Sequence, residues 1–202
     1  MDKRVPVLVP LALLVFLLGG CGSSGGGAPA SRSRAELTNP FLGPDYSAWL
    51  IGPVARIATP EEIRQFLALK DDPQAEAFVQ GFWDRRDPSP AKPGNPVRDA
   101  FDSRAAEADR KYSEAGLLGR RTDRGTLYVV YGPPSKTDYE VSPIPNGPPL
   151  EVWTYNADAP SGLDARRPAG VYRFIKQGDL TVLYLGGRPS PTLIQPSPEP
   201  PL

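Results

Sequence analysis

Gly119-Arg120-Arg121-Thr122-Asp123-Arg124-Gly125-Thr126-Leu127-Tyr128-Val129-Val130-Tyr131-Gly132-Pro133-Pro134 is the stretch around which this chain is organised. Thr122-Asp123-Arg124-Gly125 has the composition of a turn. Thr and Asp side chains bond nearby backbone N–H groups there, and Gly125 would take a φ denied to other residues. Thr126 to Tyr131 is β-branched and aromatic, which predicts a strand, and Gly132-Pro133-Pro134 ends it. On this reading the chain passes from helices to strands at about residue 122.

The residues before this point carry helix signals. Thr59-Pro60-Glu61-Glu62 combines a threonine cap, proline at the first helical position and a glutamate three residues after the cap. Ile63, Phe66 and Leu67 then fall on one face. Asp72-Pro73 opens a second helix, with Ala75, Phe78, Val79, Phe82 and Trp83 at helical spacing. Asn95-Pro96 opens a third, lined by Val97, Phe101, Ala105, Ala108 and Tyr112, with Gly116 as its stop. After the central stretch, Leu150 to Tyr155 and Val171 to Lys176 alternate, and Leu180 to Leu185 adds another strand. Lys176-Gln177-Gly178-Asp179 reads as a hairpin turn, and Ser135 to Pro149 as a long proline-rich loop. Helices first and strands second predict an α+β fold, with N-terminal helices on one face of a mainly antiparallel sheet formed by the C-terminal half.

Several blocks agree in order with one known family. Phe82-Trp83-Asp84-Arg85-Arg86-Asp87-Pro88 closes a helix. Gly119-Arg120-Arg121-Thr122-Asp123 follows some thirty residues later, then Leu127 to Pro134 and Glu151-Val152-Trp153-Thr154-Tyr155. This arrangement, over roughly residues 60–156, is similar to the GWxTD domain of bacterial proteins that are often exported. Arg120 stands where the family has its tryptophan. The resemblance implies a domain type and no particular chemistry.

The N-terminus predicts a location. Lys3 and Arg4 precede an apolar run from Val5 to Leu18. As a helix, such a run reaches about 21 Å, short of a bilayer core of about 30 Å, so it reads as a signal peptide rather than a span. Leu18-Gly19-Gly20-Cys21 resembles the lipobox of bacterial lipoproteins: an aliphatic residue, two small residues and the cysteine. That resemblance implies cleavage before Cys21 and acylation of its sulfur and new amino group, hence an anchor in the cell envelope. Gly22, where an aspartate would favour the inner membrane, points to the periplasmic side of the outer membrane. The expected organisation is residues 1–20 as signal peptide, 21–35 as lipidated cysteine and Gly/Ser-rich flexible linker, 36–186 as the domain, and 187–202 as a proline-rich disordered tail.

Composition narrows the function. The 202 residues carry 23 basic and 23 acidic side chains and no histidine. Balanced charge argues against nucleic acid as a partner, since phosphate binding calls for a basic excess. Loss of Asp2, Lys3 and Arg4 with the leader leaves 21 basic and 22 acidic residues, and no run of basic residues that would hold the chain on a membrane. Without histidine, and with its one cysteine acylated, the chain is expected to have no ordinary zinc site and no cofactor. Hydrolase elbows and phosphate-cradling glycine loops are absent from the sequence.

Three readings follow. The leading one is a non-catalytic binding or scaffolding protein of the envelope, held by acyl chains and facing an envelope protein or glycan. Its candidate patch is Arg85, Arg86, Thr122, Asp123 and Arg124; paired arginines suit a carboxylate or phosphate. The second is an envelope glycan or cell-wall hydrolase using acidic pairs such as Asp84 and Asp87 or Asp99 and Asp102. The third is an apolar-ligand carrier. Trp83, Trp153, Tyr155, Tyr172 and Tyr184 are expected to pack the core rather than form a carbohydrate platform.

Overall fold

The computed structural model describes residues 33–186. The expected signal peptide, lipobox, linker up to Arg32 and tail from residue 187 lie outside the described residues.

Among the described residues five helices precede four strands. The helices are α1 (Pro53–Ile57), α2 (Pro60–Leu67), α3 (Asp72–Asp84), α4 (Pro96–Tyr112) and α5 (Asp123–Tyr131), with 3-10 turns at Ala35–Leu37 and Gly119–Arg121. Each of α2 to α5 begins on a side chain that satisfies a free backbone N–H, as helix starts require. Thr59 and Glu62 form a complete capping box on α2. Asp71 accepts from Gln74 N at α3, and Asn95 from Val97 N and Arg98 N at α4. The α4 helix ends at Tyr112, before the expected stop at Gly116, because Ser113 turns extended.

The strands β1 (Lys136–Glu140), β2 (Leu150–Thr154), β3 (Val171–Gln177) and β4 (Leu180–Leu183) form one antiparallel sheet in the order β1-β2-β3-β4. In its register Trp153 faces Tyr172, Phe174 faces Leu183, and Ile175 faces Val182. The turn between β3 and β4 is Gly178-Asp179, with Gly178 at φ +57°. The α+β expectation holds.

Two local readings do not. Thr126–Tyr131 is the body of α5, not a strand. Thr122 caps it, and Leu127, Tyr128, Val129 and Val130 are all buried. A short apolar run fits either a buried helix or a buried strand, and an N-terminal cap with burial on every side overrides β-propensity here. The fourth strand is instead β1, inside the stretch expected to be loop. Every β1 residue is exposed, so it carries no apolar alternation and forms through backbone pairing to β2, with the exposed Glu140–Arg173 ion pair as a side-chain tie to β3.

Alternation along the sheet makes two cores. One face presents Trp153, Tyr155 and Phe174 to the helices. There they join an aromatic chain in which Trp49 meets Phe66 and Phe82, Phe82 meets Trp83, and Trp83 meets Phe101 at centroid distances of 4.9–5.0 Å. The opposite face carries a smaller cluster of Leu150, Val152, Ile175 and Val182, with Leu180 and Tyr184 against it. Among the described residues the two cores draw on the chain from Leu37 to Tyr184.

Candidate functional site

The segment from Gly119 to Gly125 joins three elements. Gly119 opens a 3-10 turn laid directly on α4: a Cβ there would sit 1.9 Å from the Ala108 carbonyl oxygen. Gly125, one turn into α5, is pressed against the same turn, and its Cβ would lie 1.8 Å from the Gly119 carbonyl oxygen. Neither glycine is needed for an unusual φ. The expected left-handed φ at Gly125 is absent, and what requires glycine is the close approach of backbone to backbone. Thr122 fastens the joint. Its hydroxyl donates to Gly119 O at 2.8 Å and accepts from Gly125 N at 3.1 Å. Thr122 and Asp123 therefore start a helix rather than form the expected turn before a strand.

Asp123 reaches from α5 to the sheet. Its Oδ2 accepts the Leu183 N–H of β4 at 2.7 Å. Burial pushes the carboxyl above the usual aspartate value, against the opposing pull of the Leu183 N–H and the field of Arg56. Next to it Arg124 is held between two carboxylates, Nη2 to Glu114 at 2.8 Å and Nη1 to Glu151 at 3.0 Å, with its guanidinium over the Tyr112 ring. Glu114 also accepts from Thr181 N and Thr181 Oγ1, both at 2.9 Å, and Glu151 from Trp153 Nε1 at 2.7 Å. The end of α4, the start of α5, β2 and β4 are thus cross-linked by charge-assisted hydrogen bonds.

Arg120, in the place of the family tryptophan, lies on the outside of this joint. It binds Asp109 of α4 through Nε at 2.8 Å and Nη2 at 2.6 Å, while its backbone N donates to the same carboxylate.

This seam is the part of the chain that the family is named for. The model of the GWxTD domain matches residues 41–163, more than half of the chain and more than the roughly 60–156 read from the motif blocks. The chain belongs to the GWxTD domain family. No curated protein and no solved structure matches it. In this GWxTD domain the motif glycine, threonine and aspartate are each engaged inward, and β3 and β4, beyond the matched region, are anchored to it through Asp123 and Glu114.

The other candidate residues are dispersed. Arg85 and Arg86, at the end of α3, converge on Glu62 of α2. Arg86 Nη2 is 2.6 Å from Glu62 Oε2, and Arg85 Nη2 is 3.1 Å from Oε1. Arg86 also donates to Phe82 O and Ile57 O and lies 3.6 Å from the Phe82 ring centroid. Burial pushes the Glu62 carboxyl up, but Arg86, the Thr59 N–H and Arg85 outweigh it and hold the group at about 2. Arg86 is therefore committed to the interior, and Arg85 alone keeps a half-exposed side chain. The structure does not pair Arg85 and Arg86 with Thr122, Asp123 and Arg124 through any hydrogen bond or ion pair among the described residues. Of the carboxylates, Asp84, Asp99 and Asp102 are exposed on helix surfaces, with Asp84 accepting from Gln80 and Asp102 near Arg98. Asp87 accepts the Ser89 N–H at the end of α3. Trp83, Trp153 and Tyr155 are buried in the main core, with Tyr172 packed against it and Tyr184 against the smaller one. Among the described residues no helix is long and apolar enough to cross a membrane.

Sequence reasoning marked Glu62 as a capping residue but missed its second partners, and it missed Glu114 and Glu151 altogether. Nothing local signals their bonds to Arg124 and Thr181, because those partners are 10 to 67 positions away in the chain.

Proposed function

We propose that this GWxTD domain protein is an acylated lipoprotein of the bacterial cell envelope whose folded domain binds or scaffolds another envelope component without catalysing a reaction. The observation that carries the reading is Leu18-Gly19-Gly20-Cys21 standing behind a basic and then apolar leader. The structure adds support of a different kind. The motif groups Gly119, Thr122 and Asp123, and the charged residues Arg86, Arg124, Glu62, Glu114 and Glu151, are all engaged in holding elements together. A domain that invests its buried charge in rigidity suits a platform presented at the end of a tether. Several acyl chains would hold it firmly, since each buried CH₂ contributes about 0.8 kcal/mol.

The test is metabolic labelling with a clickable fatty acid, comparing the wild type with Cys21→Ala, followed by affinity capture from detergent-solubilised envelope. Label on the wild type alone, with a reproducible protein or glycan partner, supports the reading. Equal labelling of the two chains removes the anchor, and a protein that captures nothing but turns over purified cell-wall glycan removes the scaffold.

A further inference from the structure

The face of the sheet turned away from the helices is built like an interior. On it β2 carries Leu150 and Val152, β3 carries Ile175, and β4 carries Leu180, Val182 and Tyr184. Ile175 pairs with Val182 and Gln177 with Leu180, so the patch runs across strands without a break. A sheet with one solvated face is polar on that face, whereas these three strands are apolar on both. Leu150, Val152, Ile175 and Val182 are only 1–5 % exposed. Side chains on a single layer of strands reach such burial when a second layer lies over them. Among the described residues no apolar group supplies that layer. The apolar neighbours of the four are Leu180 and Tyr184 of the same sheet, the helices pack on the other face, and residues 141–149 before β2 are mostly exposed.

The chain itself narrows the choice of cover. Residues 21–32 hold only Cys, Gly, Ser, Ala, Pro and Arg, and the leader before them is removed in the lipoprotein reading. Residues 187–202 hold Leu193, Ile194 and Leu202 among six prolines. They also start in the right place. The described chain ends at Gly186, just past β4, and Gly186 bends it there at φ +77°. Leu193 follows seven residues later, which is about 22 Å in an extended polyproline conformation. From β4 to β2 the patch spans two strand spacings, about 10 Å. The prolines have no N–H to donate, so this segment is poorly suited to pairing as a further strand. Lying across a face asks no backbone pairing of it, and a polyproline segment is already extended before it docks.

We propose that residues 189–196, with Leu193 and Ile194 as anchors, fold back across the outer face of the sheet and seal the Leu150, Val152, Ile175 and Val182 cluster. The tail up to Pro196 is then a strap, and the disorder expected from its composition is confined to the residues beyond.

The experiment uses residues 21–202 carrying Cys21→Ala, with a nitroxide spin label on Thr192→Cys. The methyl signals of Leu150, Val152, Ile175 and Val182 should broaden more than those of Val54 and Val129 in the other core, and should stay broadened when the labelled chain is diluted into unlabelled chain. The double substitution Leu193→Ser with Ile194→Ser should lower Tm by about 5–10 °C and raise the fluorescence of an anilinonaphthalene sulfonate dye. Leu202→Ser should change neither. Absence of the broadening overturns the proposal, as does an unchanged Tm with the double substitution or an equal fall with Leu202→Ser. Broadening lost on dilution also overturns it, by assigning the face to a second copy of the chain. The tested chain has neither leader nor thiol, so an unlabelled Cys21 in the native protein would remove the anchor and leave the strap.

Discussion

Glu62→Gln would break the Glu62–Arg86 pair while keeping the size of the side chain. Glu62 is 7 % exposed, and its carboxylate accepts from Arg86, from Arg85 and from the Thr59 N–H. A carboxyl held at about 2, against 4.5 in the unfolded chain, corresponds to about 3 kcal/mol in favour of the fold at neutral pH. Loss of one partner from a buried pair costs about 3–5 kcal/mol, because Arg86 stays desolvated. Arg85 is too exposed to add much. Urea unfolding at pH 7 should therefore show the variant destabilised by about 3 kcal/mol, with Tm lower by about 6–12 °C. The pH dependence gives a second readout. The native carboxyl releases its proton more readily than the unfolded one, so its contribution is complete above pH 4.5 and drains away as pH falls toward 2. The gap between wild type and variant should narrow to below about 1 kcal/mol at pH 2. A destabilisation under about 1 kcal/mol at pH 7, or a gap that does not narrow in acid, would refute the argument that Arg86 is an interior residue.

Two further substitutions examine the motif seam. Gly125→Ala should destabilise by about 3 kcal/mol or more, because the added methyl would fall 1.8 Å from the Gly119 carbonyl oxygen, a backbone atom that cannot swing aside; Gly170→Ala, with open space around it, should be neutral in the same denaturant titration. Asp123→Ala strands the Leu183 N–H and should cost about 1–3 kcal/mol, while Asp123→Asn keeps an acceptor and should cost less. Because burial raises the Asp123 carboxyl, its ionisation weakens the fold as pH rises above the unfolded value of 3.8, so the Asn variant should gain relative to the wild type over that interval. Hydrogen exchange at the Leu183 amide, faster in the Ala variant alone, checks the assignment.

The legible parts of this fold were those written locally. Thr59, Glu62 and Asn95 lie beside the N–H groups they satisfy, so the starts of α2 and α4 could be read directly. The β2, β3 and β4 strands announce themselves by alternation between two buried faces. Thr126–Tyr131 was misread because periodicity cannot separate a buried helix from a buried strand over six residues, and the deciding contact is Gly119 against Gly125 and Ala108. The β1 strand was invisible because its partner, not its composition, makes it a strand. The candidate patch fared similarly. Arg85, Arg86 and Arg124 were recognisable as charges, but whether a charge faces solvent or a carboxylate from a distant segment is a tertiary property.

The two borders of the sheet are treated unequally. Along β4 the outward N–H groups of residues 181 and 183 are already taken by Glu114 and Asp123, so that side has no free donors at those positions to offer a foreign strand. Along β1 the backbone from Lys136 to Glu140 lies open to solvent, guarded only by its charges. Any continuation of the sheet into another polypeptide, productive or pathological, is therefore directed to the β1 side, and the carboxylates that close the other side come from the motif seam itself.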